Sequence, residues 1–101
     1  MKYRLQSDIL LKSICDEYFL IATGEARGHV PYIEGITRPG AYFWRLLEKG
    51  SPVEEIISQS ACAYKTSLEK ATIAFWHFAK MLHEKGYLTL DKEGMAAMQN
   101  Y

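Results

Sequence analysis

Three histidines and two cysteines are among the side chains of this sequence that could bind a metal or act as nucleophiles. His77 and His83 are separated by neither three nor four positions, so they point in different directions on one helix and do not form a metal pair. Cys15 and Cys62 have no metal-binding or redox-motif spacing, which is typical of ordinary thiols in a reducing compartment. No serine or cysteine lies in a nucleophile elbow, and no glycine loop has a phosphate-binding pattern. The sequence therefore predicts a protein that is not an enzyme and that uses no metal or cofactor.

The balance of charge restricts the partners of the chain. Its 101 residues include 12 basic and 12 acidic side chains, and 49% of the residues are hydrophobic. This composition is typical of one globular domain. Nucleic-acid binding usually needs a basic excess, which this sequence lacks. A net charge of zero also leaves association into a homodimer open.

The cellular location of the protein is predicted from the absence of long apolar stretches. The segment Met1–Asp8 has no apolar run of signal-peptide length. The stretch Ile73–Leu82 is interrupted by His77 and Lys80 and is too short to span a membrane. We therefore expect a cytoplasmic protein that does not associate with membranes.

Three segments in the first third of the chain predict β-strands. Asp8–Ile14 and Tyr18–Ala22 are rich in branched and aromatic residues, and Asp16-Glu17 between them is typical of a turn. A third strand is predicted over His29–Ile36, after a loop that contains two glycines. Because Pro31 cannot donate a hydrogen bond to a ladder, we expect this strand at the edge of the sheet.

Three helices are predicted in immediate succession after the strands. Thr37 predicts the N-cap of the first helix, and Gly50 predicts its end. Ser51-Pro-Val-Glu54 predicts a capping box for the second helix, and Thr66-Ser-Leu-Glu69 predicts one for the third. The third helix is expected to run to Lys85, just before a glycine.

The order of these elements predicts the fold class α+β, as a winged helix-turn-helix with a three-stranded antiparallel sheet followed by three helices. This domain is expected over residues 1–90, and residues 91–101 are expected to form a C-terminal tail, either loose or folded into a short helix. A DNA-binding transcriptional regulator is the alternative function for such a fold, because a third helix often enters the major groove. The outward side of this helix carries a mixed set, including Lys70, His77 and Glu84, without the Arg, Asn and Gln that read base edges.

The third helix has a predicted core face and one flank that the core does not explain. At α-helical spacing the core stripe comprises Leu68, Ala71, Phe75, Phe78 and Leu82. Ile73, Trp76 and Lys80 lie off this stripe. Half-buried packing is the common role of such a tryptophan, and a contact site is the alternative. An exposed sheet edge beside this flank would form a groove for an extended peptide.

The chain resembles the PqqD family from about residue 8 to residue 90. The resemblance rests on Ile36–Gly50, on Ser51–Ile57 and on the long helix that ends in Glu84–Leu88. It implies a RiPP recognition element, a non-catalytic chaperone for ribosomally made precursor peptides. Such a chaperone captures the precursor leader peptide and presents it to a separate modifying enzyme, which in this family is most often a radical S-adenosylmethionine enzyme.

The resemblance also implies which surface binds the peptide. In the family the leader adds as a strand beside the third strand and lies against the third helix. The peptide-binding residues implied by position are Val30, Tyr32, Ile33, Glu34, Ile73, Trp76, His77 and Lys80. The sequence departs from the family at Thr37-Arg-Pro39, which replaces Asn-Glu-Thr. It also departs at Pro31, which lacks a donor, so pairing is expected to centre on Tyr32–Ile36.

Overall fold

Five strands and four α-helices make up the protein in a computed structural model that describes residues 1–101. The strands are β1 (Tyr3–Leu5), β2 (Ile9–Ile14), β3 (Glu17–Ala22), β4 (Ile33–Ile36) and β5 (Leu88–Leu90). The helices are α1 (Arg38–Glu48), α2 (Val53–Ala63), α3 (Leu68–Glu84) and α4 (Lys92–Met98). The predicted α+β class and the three-stranded antiparallel sheet are confirmed, and the helices number four rather than three.

The main sheet has the order β2-β3-β4, with both pairs antiparallel. Cys15 and Asp16 join β2 to β3 in a two-residue turn with φ angles of 52° and 65°, the positive values that a type I′ hairpin requires. One face of the sheet packs on the helices through the buried Leu20 and Ala22. The opposite face carries apolar side chains that are exposed, among them Leu10 and Ile14.

β4 occupies the predicted edge position but is shorter than the predicted third strand. Gly24–Gly28 forms a 3₁₀ turn, and the amides of His29 and Val30 then donate to the carbonyl of Ala26. This turn directs the Val30 side chain into the core, where it is 8% exposed. The prediction that Val30 lies on the strand is therefore wrong, because its segment satisfies its hydrogen bonds locally instead of in the sheet. Its role in peptide binding remains a prediction.

One of the three predicted helix caps forms as expected. Thr37 Oγ1 accepts a hydrogen bond from the Gly40 amide at 3.1 Å. The third helix is capped by Ser67 rather than Thr66, and the second begins after a proline with no side-chain cap, so Ser51 does not form the predicted capping box. The helices nevertheless begin within one or two residues of the predicted positions, since their apolar faces pack on the core.

The two ends of the chain are joined by a second, two-stranded sheet. β1 pairs antiparallel with β5, so that Tyr3 lies opposite Leu90. The Asp91 carboxylate then caps α4 by accepting from the Gly94 amide at 2.9 Å, and it also accepts from the Lys2 amide at 2.7 Å. The C-terminal residues therefore fold as a helix, which is the second of the two predicted alternatives. None of the four helices is long and apolar enough to cross a membrane.

Candidate functional site

The outer edge of β4 presents unpaired backbone groups. β3 donates a backbone hydrogen bond to the Tyr32 carbonyl at 2.9 Å. Since bonded pairs alternate along an antiparallel ladder, Glu34 and Ile36 also bond to β3. The amide and carbonyl groups of Ile33 and Gly35 therefore point away from the sheet. No strand of this chain pairs with that side of β4, so these groups can accept an additional strand.

Gly35 makes this edge accessible from the outer face of the sheet. It lies opposite Phe19 on β3, and a side chain on Gly35 would come within 3.8 Å of the Phe19 ring. A shallow cavity of about 400 Å³ lies here, lined in part by Phe19, Ile36 and Arg38. The absence of a side chain therefore allows another backbone to approach closely at this position.

One flank of α3 lies beside the segment that runs from β4 into the start of α1. The Lys85 ammonium group lies 2.8 Å from the Glu34 carboxylate, and the Phe78 ring lies 2.9 Å from the point that a side chain on Gly40 would occupy. Ala74, Phe78, Met81 and Lys85 recur at i, i+4, i+7 and i+11, so they share this side of the helix, which we call the open flank. The β4–α3 groove is the surface between the open flank and the unpaired edge of β4.

The opposite side of α3 is occupied by the C-terminus of the chain. The Trp76 indole stacks on the Tyr101 ring with centroids 6.0 Å apart and an interplanar angle of 8°. His83 lies on the same side of the helix, and its Nδ1 atom is 3.0 Å from the Leu88 carbonyl oxygen. We call this side the covered flank. Trp76 is 4% exposed, so the prediction that it lies off the core is wrong. Its role as a peptide anchor remains a prediction.

The predicted core stripe of α3 is partly correct. Ala71, Phe75 and Leu82 are buried as expected. Leu68 is 61% exposed, because it begins the helix beyond the elements that pack on α3, and Phe78 is half-buried at the open flank. The core face is therefore rotated toward Trp76 and away from Phe78 relative to the prediction.

The structure brings four of the eight predicted site residues to the groove or its border. Tyr32, Ile33 and Glu34 lie on or beside β4, and His77 lies on α3 next to the open flank. Their binding role remains a prediction. Ile73 and Lys80 lie with Trp76 at i, i+3 and i+7, on the side of α3 that faces away from β4.

Four groove residues were not identified as such from the sequence: Ala74, Phe78, Met81 and Lys85. Phe78 was placed in the predicted core stripe. Lys85 was expected only as the end of the third helix, and its ion pair with Glu34 joins residues that are distant in the chain. No local pattern predicts such a pair. Met81 could have been identified from the sequence, because it lies seven residues after Ala74 and therefore on the same side of the helix.

The Lys85 end of the groove lies over a buried phenol. Tyr87 is fully buried, and its hydroxyl has no hydrogen-bond partner. Burial raises the pKa of this phenol, and the nearby Glu34 carboxylate raises it further, so Tyr87 is neutral at physiological pH. The Glu34–Lys85 ion pair is partly exposed and contributes about 0–1 kcal/mol to stability. A bound partner can therefore compete for either charge at small cost.

Neither the groove nor its surroundings hold a recognisable catalytic arrangement. No group of three or more His, Cys, Asp and Glu side chains is placed to bind a metal ion. Cys15 and Cys62 are both exposed, free thiols. What the groove offers is backbone hydrogen bonding on one wall and apolar contact on the other, which is the chemistry of peptide recognition by strand addition.

The comparisons with known proteins support the fold. No family model matches the chain, and a search of curated proteins found no match. Among solved structures, the chain is similar to one described as TbiB1 in complex with the TbiA(beta) leader peptide. The TM-score is 0.68 and the sequence identity 24%, over 90% of this chain and 100% of that one. The two proteins therefore share an α+β fold with a three-stranded sheet.

Proposed function

We propose that this chain is a non-catalytic adaptor that binds the leader of a ribosomally synthesised precursor peptide. The leader adds as a fourth strand to β4, and its side chains contact the open flank of α3. One observation carries the proposal: an unpaired strand edge, at which the backbone groups of Ile33 and Gly35 point outward, lies beside a helix flank on which Phe78 and Met81 are only half-buried. A protein of the same fold, TbiB1, has been solved with a leader peptide, which supports a peptide as the occupant.

The groove can supply a moderate affinity. Two outward-facing residues offer up to four backbone hydrogen bonds, each worth about 1 kcal/mol net. Contacts with Phe78 and Met81, the apolar anchors of the groove, add to these bonds. Their sum must exceed the entropic cost of association. A dissociation constant of roughly 0.1–10 µM, or about −7 to −10 kcal/mol, is the expected range.

A separate enzyme modifies the precursor in this proposal. The groove residues bind backbone and apolar groups, and none is arranged as a nucleophile or general base. A radical S-adenosylmethionine enzyme is the partner that the PqqD resemblance favours. The adaptor would raise the local concentration of precursor at that enzyme.

The test is a titration of the ¹⁵N-labelled chain with a synthetic leader peptide from the short precursor encoded beside its gene. We expect saturable amide shifts that are largest at Ile33, Gly35, Phe78 and Met81, and none with a scrambled peptide of the same composition. Shifts centred on β2 or α4, or no saturation below about 100 µM, ten times the upper end of the expected range, would refute the proposal. A duplex DNA fragment at physiological salt provides the control for the regulator alternative, and we expect no shifts with it.

A further inference from the structure

A second cavity continues the open flank of α3 toward the start of that helix. It has a volume of about 270 Å³ and lies where α1, the end of α2 and the start of α3 meet. Its walls are mainly apolar and include Pro39, Phe43, Tyr64 and Ala71. The cavity is too small for a typical drug-sized ligand, and it is large enough for one aromatic or branched side chain.

The walls of this cavity are held by contacts outside it. The Tyr64 ring packs edge-on against Tyr42 with centroids 5.7 Å apart. Phe43 packs against Phe75 and Phe78 at 5.5 and 5.9 Å. Because neighbouring rings fix these two side chains, the cavity does not depend on a ligand for its shape, and little ordering is required when it is filled.

The cavity lies at one end of the β4–α3 groove. Ala74 belongs both to the open flank and to the cavity wall, and Pro39 follows the end of β4 by three residues. Glu34 lies beside Lys85, whereas Gly40, further along the chain, lies beside Phe78. β4 and α3 therefore run in opposite directions. Both strand pairs of the main sheet are antiparallel, and a fourth strand that continues this pattern begins at the cavity and ends near Lys85.

We propose, on the basis of the proposed function, that this cavity binds one large apolar side chain of the leader. That side chain lies N-terminal to the segment that pairs with β4. The backbone groups of β4 accept any extended sequence, so they confer little selectivity. An apolar cavity of fixed size discriminates between side chains, and it therefore selects the leader from other extended peptides.

The test combines a variant that fills the cavity with truncations of the peptide. Ala74 is exposed at the cavity wall, so Ala74→Phe fills the space without disturbing the core. Ala96→Phe is the matched control, because Ala96 is an exposed alanine on α4, beyond the covered flank. We expect Ala74→Phe to raise the dissociation constant of the leader at least tenfold and Ala96→Phe to leave it unchanged.

A double-mutant cycle separates cavity binding from general weakening. Each large apolar residue of the leader is replaced by alanine, one at a time. One replacement N-terminal to the pairing segment should weaken binding to the wild-type chain at least tenfold and have less than a twofold effect on Ala74→Phe. If no replacement shows this coupling while the wild-type chain binds the leader, the cavity inference is wrong and the adaptor proposal stands. If the wild-type chain binds no leader, both are wrong.

Discussion

Each flank of α3 carries a large aromatic side chain, and the two flanks differ in what surrounds them. On the covered flank Trp76 lies beneath Tyr101, and α4 packs against the helix. On the open flank Phe78 and Met81 remain half-buried beside a strand edge that has no partner. The two flanks differ because the C-terminal segment covers Trp76 and does not reach Phe78 and Met81.

This difference shows how a small domain can provide a binding surface and remain stable. Trp76 on the covered flank belongs to the core, where Tyr101 stacks on it and α4 packs against α3. Open edges of sheets are usually protected because they pair with other chains. β4 has no proline and no bulge within its ladder, which is consistent with an edge kept available for a partner.

The largest expected effect of a single substitution is at the covered flank. Trp76→Ala should lower the free energy of unfolding by about 3–5 kcal/mol, because a buried ring that contacts Phe75 and Tyr101 is lost. Urea denaturation measures this change, and His77→Ala, an exposed neighbour, should change stability by less than about 0.5 kcal/mol. Unchanged stability together with lost peptide affinity would place Trp76 in the binding site instead.

The next effect concerns the edge of β4. Gly35→Pro removes an outward-facing donor and should raise the dissociation constant of the leader about tenfold, or about 1.4 kcal/mol, with the helical circular dichroism unchanged.

Ser13→Pro is the matched control for this variant. The Thr23 amide donates to the Asp8 carbonyl, so the amide of Ser13 on β2 also points outward. The same change at the opposite edge should leave the affinity unchanged. Equal losses in the two variants would show that the peptide does not distinguish the edges.

A smaller effect is expected from side chains on the two sides of α3. Met81→Ala should weaken leader binding by about 1 kcal/mol through lost apolar contact. Ile73→Ala, on the side that faces away from β4, should have no effect on the affinity. Fluorescence anisotropy with a labelled leader measures both. A loss confined to Ile73→Ala would mean that the peptide lies on the other side of the helix.

The smallest effect is a pH dependence at the cap of α4. Hydrogen bonds from the amides of Gly94 and Lys2 lower the pKa of the Asp91 carboxyl group below its ordinary value of 3.8. Because the folded state favours the ionised form, this stabilisation is complete well above pH 3.8 and is lost as the pH falls through the lower folded pKa.

The amide shift of Gly94 in an acid titration reports this step. We expect a midpoint below 3.8 in the wild type, and no such step in Asp91→Asn, whose side chain still caps the helix without titrating. A midpoint at or above the ordinary value would show that the cap does not form in solution.

Much of the architecture could be predicted because its signals are local. The hairpin between β2 and β3, the cap at Thr37 and the glycines that end α1 and α3 each act over a few residues. The edge position of β4 was predicted from Pro31, although the proline lies just before the strand and not within it. The length of β4 was predicted incorrectly because the hydrogen bonds to Ala26 compete with the sheet.

The candidate site could be predicted only in part. Tyr32, Ile33 and Glu34 belong to one segment, so placing one of them at the edge places all three. On α3 the apolar residues cover more than one face, and helical spacing alone cannot decide which of Phe78 and Trp76 is buried. That choice depends on Tyr101 and α4, which reach α3 from the end of the chain.

By itself the sequence determined the first three helices, the hairpin and the edge strand, because these follow from backbone preferences and residue spacing. Only the tertiary structure decided the rotation of α3, the burial of Val30 and Trp76, and the pairing of Glu34 with Lys85. The physical reason is that burial depends on which distant segment covers a given face, and no local pattern specifies that segment.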